Sequence, residues 1–541
     1  MTRRLSFVIV AAGLAGSAGG QEYRTVDGTG NNLNDNALGS VGTLLGREAT
    51  GAMYMDGLGD MMPRPSARAI SNAVGTQTAP VGNNSGLSSM FWQWGQFIDH
   101  DFNLVSTNPA ESVPIVVPAG DPWFDPFNNG TETIGFTRSV SVGGVVDARN
   151  HANEITHFLD GSVVYGSDTT RANTLRSFSG GRLEMTADGF MPRNTSGLPN
   201  ANDGPLPGET LFLGGDVRSN EQIGLTTMHT VFVREHNRWA DRLSAENPGW
   251  SDEKVYQMSR KIVGAEIQKV TYEDWLPAMM GGKLDAYAGY DDTVDPSMSS
   301  AFSTAAYRYG HSMLNAELQN IGPQGQDRGA FDMRDAFFNP DLITTTGTVD
   351  GLIRGLAYQE ANEVDTQVID DVRNFLFGPP GAGGLDLLAL NLQRGRDHGI
   401  VDYNTMREDF GLSPVTSFDD ITSDATLAAS IATIYDNDID NIDAWVGLMA
   451  EDHAPGAAIG ETLYAIFGDQ FSRLRDGDRF FYENDVDLLP WLSEIEGMTL
   501  ADIVSLNSGV EIGGDIFFVP APSGLALLGV VGVGVARRRR R

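Results

Sequence analysis

Residues 91–102 read FWQWGQFIDHDF, and the reading of this stretch decides the fold. Asp99, His100 and Asp101 stand side by side. On an α-helix consecutive side chains diverge by about 100°, so the three cannot converge on one point. They can serve three neighbouring ones: a bound group on one side, an ion on the other and a proton carrier between. Gln96 lies three before Asp99 and four before His100, on the same face. Trp92, Trp94, Phe97, Ile98 and Phe102 make the surroundings apolar. Ionisable groups are costly there unless each has a partner.

Around this helix lies a chain of 541 residues, 41% hydrophobic and 9% aromatic, with the makings of a large globular core. Its 71 acidic and 37 basic residues give a net charge of −34. Such a surface repels nucleic acid and anionic lipid. It suits solubility or a salty setting, and some carboxylates are available to hard cations such as Ca²⁺. There is no cysteine, which excludes disulfides, thiolate haem ligation, iron–sulfur clusters and Cys-type zinc sites. Histidine remains the obvious iron ligand, and there are eight.

Taken in order, residues 1–20 carry Arg3 and Arg4, a short apolar run and then small residues. That order predicts a secretory signal peptide cleaved near Gly20–Gln21. Residues 21–42 read as an extended linker, and Ser106 to Gly144 as a long irregular connection. THFLDGSVVYGSD, residues 156–168, spaces oxygen side chains at Thr156, Asp160 and Ser162. This is either a cation loop or a turn with incidental polar residues. Leu225 to Trp239 form an amphipathic stripe after RSNEQ, residues 218–222. His229 and His236, seven apart, could pass for a metal pair but read as structural histidines satisfied by local hydrogen bonds. Residues 251–280 predict a helix ended by Pro277. AYRYGH, residues 306–311, and LNLQRGRDH, residues 390–398, follow. The bland reading of Arg396, Asp397 and His398 is an ion-pair turn.

These motifs, in this order, resemble the animal-type haem peroxidases of the peroxidase–cyclooxygenase superfamily. The resemblance covers residues 43–513 and implies a single, mainly α domain with haem between helices. It implies that His100 is the distal histidine, Arg218 the distal arginine and Gln96 a neighbour of a distal halide site. Asp99 and Glu221 match carboxylates that esterify haem methyls in several members. Gln222 departs from members with a sulfonium-forming Met. His311 matches the axial iron ligand and Asn391 its hydrogen-bond acceptor, while Arg308 and Arg394 match the partners of the haem propionates. Asp101, Thr156, the Phe158 carbonyl, Asp160 and Ser162 match a calcium site. The implied reaction is oxidation of halide, thiocyanate or phenolic donors by hydrogen peroxide through an oxoferryl haem b.

Two rival expectations stand beside it. A fatty-acid dioxygenase of the superfamily uses a Tyr three before the proximal His, where this chain has Arg308; Tyr307 and Tyr309 would point elsewhere on a helix. An exported, calcium-stabilised adhesive or matrix protein would need none of the His100, Arg218, His311 and Asn391 set. Residues 514–541, with Pro520-Ala-Pro522, an apolar run and five terminal Arg, resemble bacterial PEP-CTERM sorting signals. That implies transient membrane anchoring and an exosortase-type protease as partner, with a permanent anchor as the alternative.

Overall fold

Residues 23–520 are described by a computed structural model. The expected signal peptide, and the expected sorting segment from residue 521 on, lie outside the described residues. The architecture is mainly α, a single domain of packed helices. Among the described residues the sheets have two strands each, all antiparallel. No helix among these residues is long and apolar enough to cross a membrane.

The stretch that opened the reading forms the helix Ser89–Phe102. Met90, Phe91, Trp94, Phe97, Ile98 and Phe102 are all fully buried. A helix with apolar side chains around most of its circumference belongs in the middle of a core, and this one is enclosed apart from Gln96 and Asp99. Phe97 stacks on Phe232 of the helix Ile223–Glu246 at 4.9 Å. Trp275 stacks on Phe91 at 5.4 Å and donates from its indole N–H to the Phe91 carbonyl. The chain end returns to the same place: Ser88 N–H donates to the Phe517 carbonyl, and the Phe517 ring meets Phe91.

Gly95 is where this helix meets the segment bearing His311. Tyr307 O–H donates to the Gly95 carbonyl at 2.9 Å, and a Cβ on Gly95 would lie 3.3 Å from the Tyr309 hydroxyl. A larger residue would push the two walls of the central cavity apart.

Three local expectations are corrected. Pro277 does not end its helix: Asp252–Lys269 passes into a π-helical turn, Val270–Trp275, and then Leu276–Met280, closed by left-handed Gly281. Pro277 sits in the first turn of the last segment, where a missing N–H is tolerated. The irregular connection contains two small hairpin sheets, Thr107–Ser112 with Thr137–Ser139 and Ile115–Val116 with Thr133–Ile134. Ala306–His311 is a 3₁₀ helix rather than α. Residues 23–42 are irregular but tied down, with Asn31 Nδ2 donating to Asp478 and Arg260 donating to the carbonyls of Arg24 and Thr25.

Candidate active site

A cavity of about 380 Å³ lies between the Ser89–Phe102 helix and the Ala306–His311 turn. Gln96, Asp99 and His100 line one side, with Arg218 beside Asp99 and Glu221 beside His100, and Arg308 and His311 line the other. The three adjacent ionisable residues part company. Asp99 and His100 face the cavity, while Asp101 is fully buried on the far side of the helix.

His100 has Nδ1 buried without a hydrogen bond. Nδ1 lies 3.7 Å from Asp216 Oδ1, and Nε2 lies 3.7 Å from Glu221 Oε2. Burial, reinforced by Arg218, holds the imidazole well below its usual range, so it is neutral at physiological pH. Arg218 is gripped by Asp216 through Nε at 2.8 Å and Nη2 at 3.0 Å, and Nη2 also donates to the Asn103 carbonyl. Its Nη1 points to Asp99 Oδ2 at 3.6 Å. Burial works to raise Asp216, but Arg218 and His100 hold its carboxyl well below the usual range. Glu221 goes the other way: burial outweighs Arg218 and lifts it to about 7.

Asp216 is the residue that sequence reasoning missed. It stands two before the partly buried Arg218, where it also receives that arginine's own backbone N–H.

On the opposite wall His311 Nδ1 meets Asn391 Oδ1 at 3.1 Å. Asn391 lies on the helix Leu387–Asp397, whose first turn is capped by the Asp386 carboxylate. With Nδ1 donating to an amide oxygen, the neutral imidazole carries its lone pair on Nε2. Burial, then Arg308, pushes His311 down to about 3. Arg308 Nη1 also donates to Asn391 Oδ1, and its Nε has no protein partner. Arg394 reaches the cavity wall but spends Nη1 on Asp397 and Ser139. Tyr307 and Tyr309, expected to point elsewhere, both line the cavity. A 3₁₀ helix turns about 120° per residue, which changes the faces they occupy.

Behind the helix, Asp101 accepts from the N–H groups of Gly161 and Val163 and from the Ser162 hydroxyl. Asp160 is buried beside it, and burial followed by Asp160 raises Asp101 to about 7. The Thr156 hydroxyl is buried with no partner. Two carboxylates forced together in the interior, next to an unpaired hydroxyl, are chemically suited to a hard cation.

The remaining histidines lie outside the cavity chemistry but are not all hydrogen-bonded: among the described residues both ring nitrogens of His151 are buried without a partner. Both His236 nitrogens are hydrogen-bonded, to Tyr165 and the Gly181 carbonyl, but His229 Nε2 is not. His151 stacks on His398 at 3.7 Å, with Asp397 close by. Burial and then four arginines (Arg47, Arg149, Arg394 and Arg138) push His151 down to about 3, so a cation there would meet positive surroundings. Arg396 forks onto Asp443 at 2.9 and 2.7 Å.

The family model for animal haem peroxidase matches residues 23–516. Peroxinectin A of Dictyostelium discoideum is 38% identical over 516 residues, covering 92% of this chain and 96% of that protein. Lactoperoxidase of Mesocricetus auratus is 34% identical, covering 90% and 76%. The peroxidasin homolog of Mus musculus is also 34% identical, but the chain spans 37% of its length. Among solved structures, peroxidase A of Dictyostelium discoideum superposes with a TM-score of 0.87 at 36% identity, over 92% of this chain and all of that one. The fatty acid alpha-dioxygenase of Oryza sativa shares the fold, with a TM-score of 0.78 at 23% identity over 92% and 87%.

Proposed function

The chain is a peroxidase of the animal haem peroxidase family, and from this premise we propose that it is exported and uses hydrogen peroxide to oxidise small anionic or phenolic donors. The observation that carries the reading is a single cavity lined by His100, Arg218 and His311, with Asn391 behind His311 and hydrogen-bonded to its Nδ1. The residues fit haem: an imidazole tied at Nδ1 across the cavity from a second imidazole, a cationic Arg308 whose Nε has no protein partner, and two carboxyls, Asp99 and Glu221, on the lining.

Bound haem supplies the redox chemistry, cleavage of the O–O bond and storage of the oxidising equivalents. His311 Nε2 would hold the iron. Asn391 fixes the His311 tautomer and makes the ring more basic. Arg308 would hold a propionate. His100 is neutral, so it can take a proton from peroxide and return it to the departing oxygen. Its working atom is Nε2, since Nδ1 is buried. Such general acid–base work contributes about 10²–10⁴-fold. The Arg218 cation, held rigid by Asp216, stabilises negative charge on the leaving oxygen. Asp99 and Glu221, both on the cavity lining, would form the ester links to haem. Asp101, Thr156, Phe158, Asp160 and Ser162 would hold Ca²⁺ behind the helix.

Residues 1–20 and 514–541 would direct export and sorting, the latter through an exosortase-type protease. Tyr307 and Tyr309 on the cavity wall are the observation that favours a fatty-acid dioxygenase, although Tyr307 O–H is already given to Gly95. The deciding experiment is the visible spectrum of haem-loaded protein before and after one equivalent of peroxide, then with thiocyanate, bromide or guaiacol. A Soret band that shifts with peroxide and returns with a donor supports the reading. A band indifferent to peroxide, with oxygen uptake on fatty acid, would replace it with the dioxygenase.

A further inference from the structure

The elements that carry His100 and Arg218 are joined behind the cavity through Val163. This residue lies in the short helix Ser162–Tyr165 and is held by both of its main-chain polar groups. Its N–H donates to Asp101 Oδ1 at 2.8 Å, which ties it to the helix bearing His100. Its carbonyl accepts from the Asp216 N–H at 3.2 Å, which ties it to the loop bearing Arg218. Gly215 is the point where that loop is seated. A Cβ there would lie 2.4 Å from the Val164 carbonyl carbon, 2.6 Å from the Ser162 oxygen and 2.6 Å from the Tyr165 nitrogen. All three are backbone atoms of a buried turn, so no side chain can swing aside to admit a methyl group. On the other flank, Arg171 Nη1 donates to the Gly214 carbonyl at 2.8 Å and pins the loop onto its seat.

We infer that Gly215 is a positioning residue for the peroxide reaction: its bare backbone lets the loop press on Ser162–Tyr165, and that seat sets Asp216 within reach of both Arg218 and His100. The inference deepens the peroxidase reading and rests on it. Asp216 follows Gly215 directly, so a retreat of the loop from its seat moves the carboxylate that grips Arg218 and stands beside His100. With a methyl group at 215, the approach of 2.4 Å must open to about 3.4 Å, an ordinary contact. A displacement of about 1 Å is enough to cost about 10²-fold in a reaction that depends on positioning. The same short helix carries Ser162, one of the residues proposed to hold Ca²⁺. The ion loop thus underlies Arg218 as well as His100.

The test is a double-mutant cycle in haem-loaded protein, with Gly215→Ala and Asp216→Asn made singly and together. Two quantities are read per haem: the stopped-flow rate with peroxide, and the dissociation constant of cyanide from the Soret shift. Gly215→Ala alone should slow the peroxide reaction about 10²-fold. It should raise the cyanide constant about tenfold, the worth of one hydrogen bond to a charged group. Added to Asp216→Asn, it should change either quantity less than about twofold, because Arg218 has already lost its grip. Equal effects in both backgrounds would make Gly215 a packing residue alone and overturn the inference, as would wild-type rate and cyanide affinity in Gly215→Ala. If Gly215→Ala takes up no haem, Arg171→Met replaces it in the cycle. That change loosens the same loop at Gly214 without a clash, and the same non-additivity is expected. Wild-type reactivity separates the two levels. An additive cycle in protein that reacts with peroxide removes the positioning role alone; wild type that ignores peroxide removes the peroxidase reading and the role with it.

Discussion

Asp216 grips Arg218 with both carboxylate oxygens, at 2.8 and 3.0 Å, and the same Oδ1 stands 3.7 Å from His100 Nδ1. One buried carboxylate thus faces both groups proposed to work on peroxide. Asp216→Asn keeps the shape and removes the charge. The peroxide reaction should slow by about 10²-fold, the scale of losing one preorganised electrostatic contact. Stopped-flow mixing measures it, with the Soret band reporting retained haem. Wild-type kinetics in this variant would remove Asp216 from the site.

The bond between His311 and Asn391 sets the second expectation. Asn391→Val leaves the imidazole N–H without an acceptor in the interior, and the less basic ring should raise the iron reduction potential. Potentiometric titration would show the shift. His311→Ala should lose the Soret band altogether; a full band in that variant would mean that another group holds the iron.

Calcium should stabilise the protein strongly, since Asp101 and Asp160 are buried together with a bare Thr156 hydroxyl. A ligand at one hundred times its dissociation constant adds about 2.7 kcal/mol. The melting temperature should rise with Ca²⁺ and fall with chelator, and Asp160→Asn should abolish the response. Identical melting with and without calcium would refute the site.

The carboxyls of Asp99 and Glu221 should become covalently attached to haem after turnover with peroxide. Denaturing separation followed by mass spectrometry reads this directly. Glu221→Gln should lose one link and Asp99→Asn the other. Haem that extracts freely from peroxide-treated wild type contradicts both.

The buried histidines should contribute a loss of stability with acid. Burial first holds His151 at about 3, and His229 and His236 at about 4, against 6.5 when exposed. The unfolded chain therefore takes up protons that the folded one refuses as pH drops from about 6.5 to 4. Each group would cost on the order of 1–2 kcal/mol by pH 5. Asp101 and Glu221, raised to about 7, take up protons in the folded state over the same range and offset part of this loss. The denaturant midpoint of wild type should therefore fall more steeply between pH 7 and pH 5 than that of a His229→Asn, His236→Asn protein, and equal slopes would show these rings protonating inside the fold.

Much of this was legible before any coordinates. The separate duties of Asp99, His100 and Asp101 follow from helix geometry, and the burial of their helix follows from its aromatic content. What escaped reading depends on contacts between distant segments or on backbone detail. The Asp216 carboxylate looked like one surface acid among many until its burial was known. The Gln222 side chain was visible only as a departure from Met, because its orientation depends on Gln93, 129 residues earlier. Pro277 misled because a wide π turn before it relieves the clash that normally stops a helix. The short strands of 107–139 were hidden by Pro and Gly.

Asp101 and His100 are neighbours on one helix, so the proposed ion site and the distal pocket share a single rigid beam. Coupling free energy is reciprocal. Whatever calcium does to the affinity of the distal face for a ligand such as cyanide, cyanide must do to calcium by the same factor. The equilibrium affinity for a metal behind the helix thereby becomes a gauge of occupancy in front of it, readable in enzyme that never turns over.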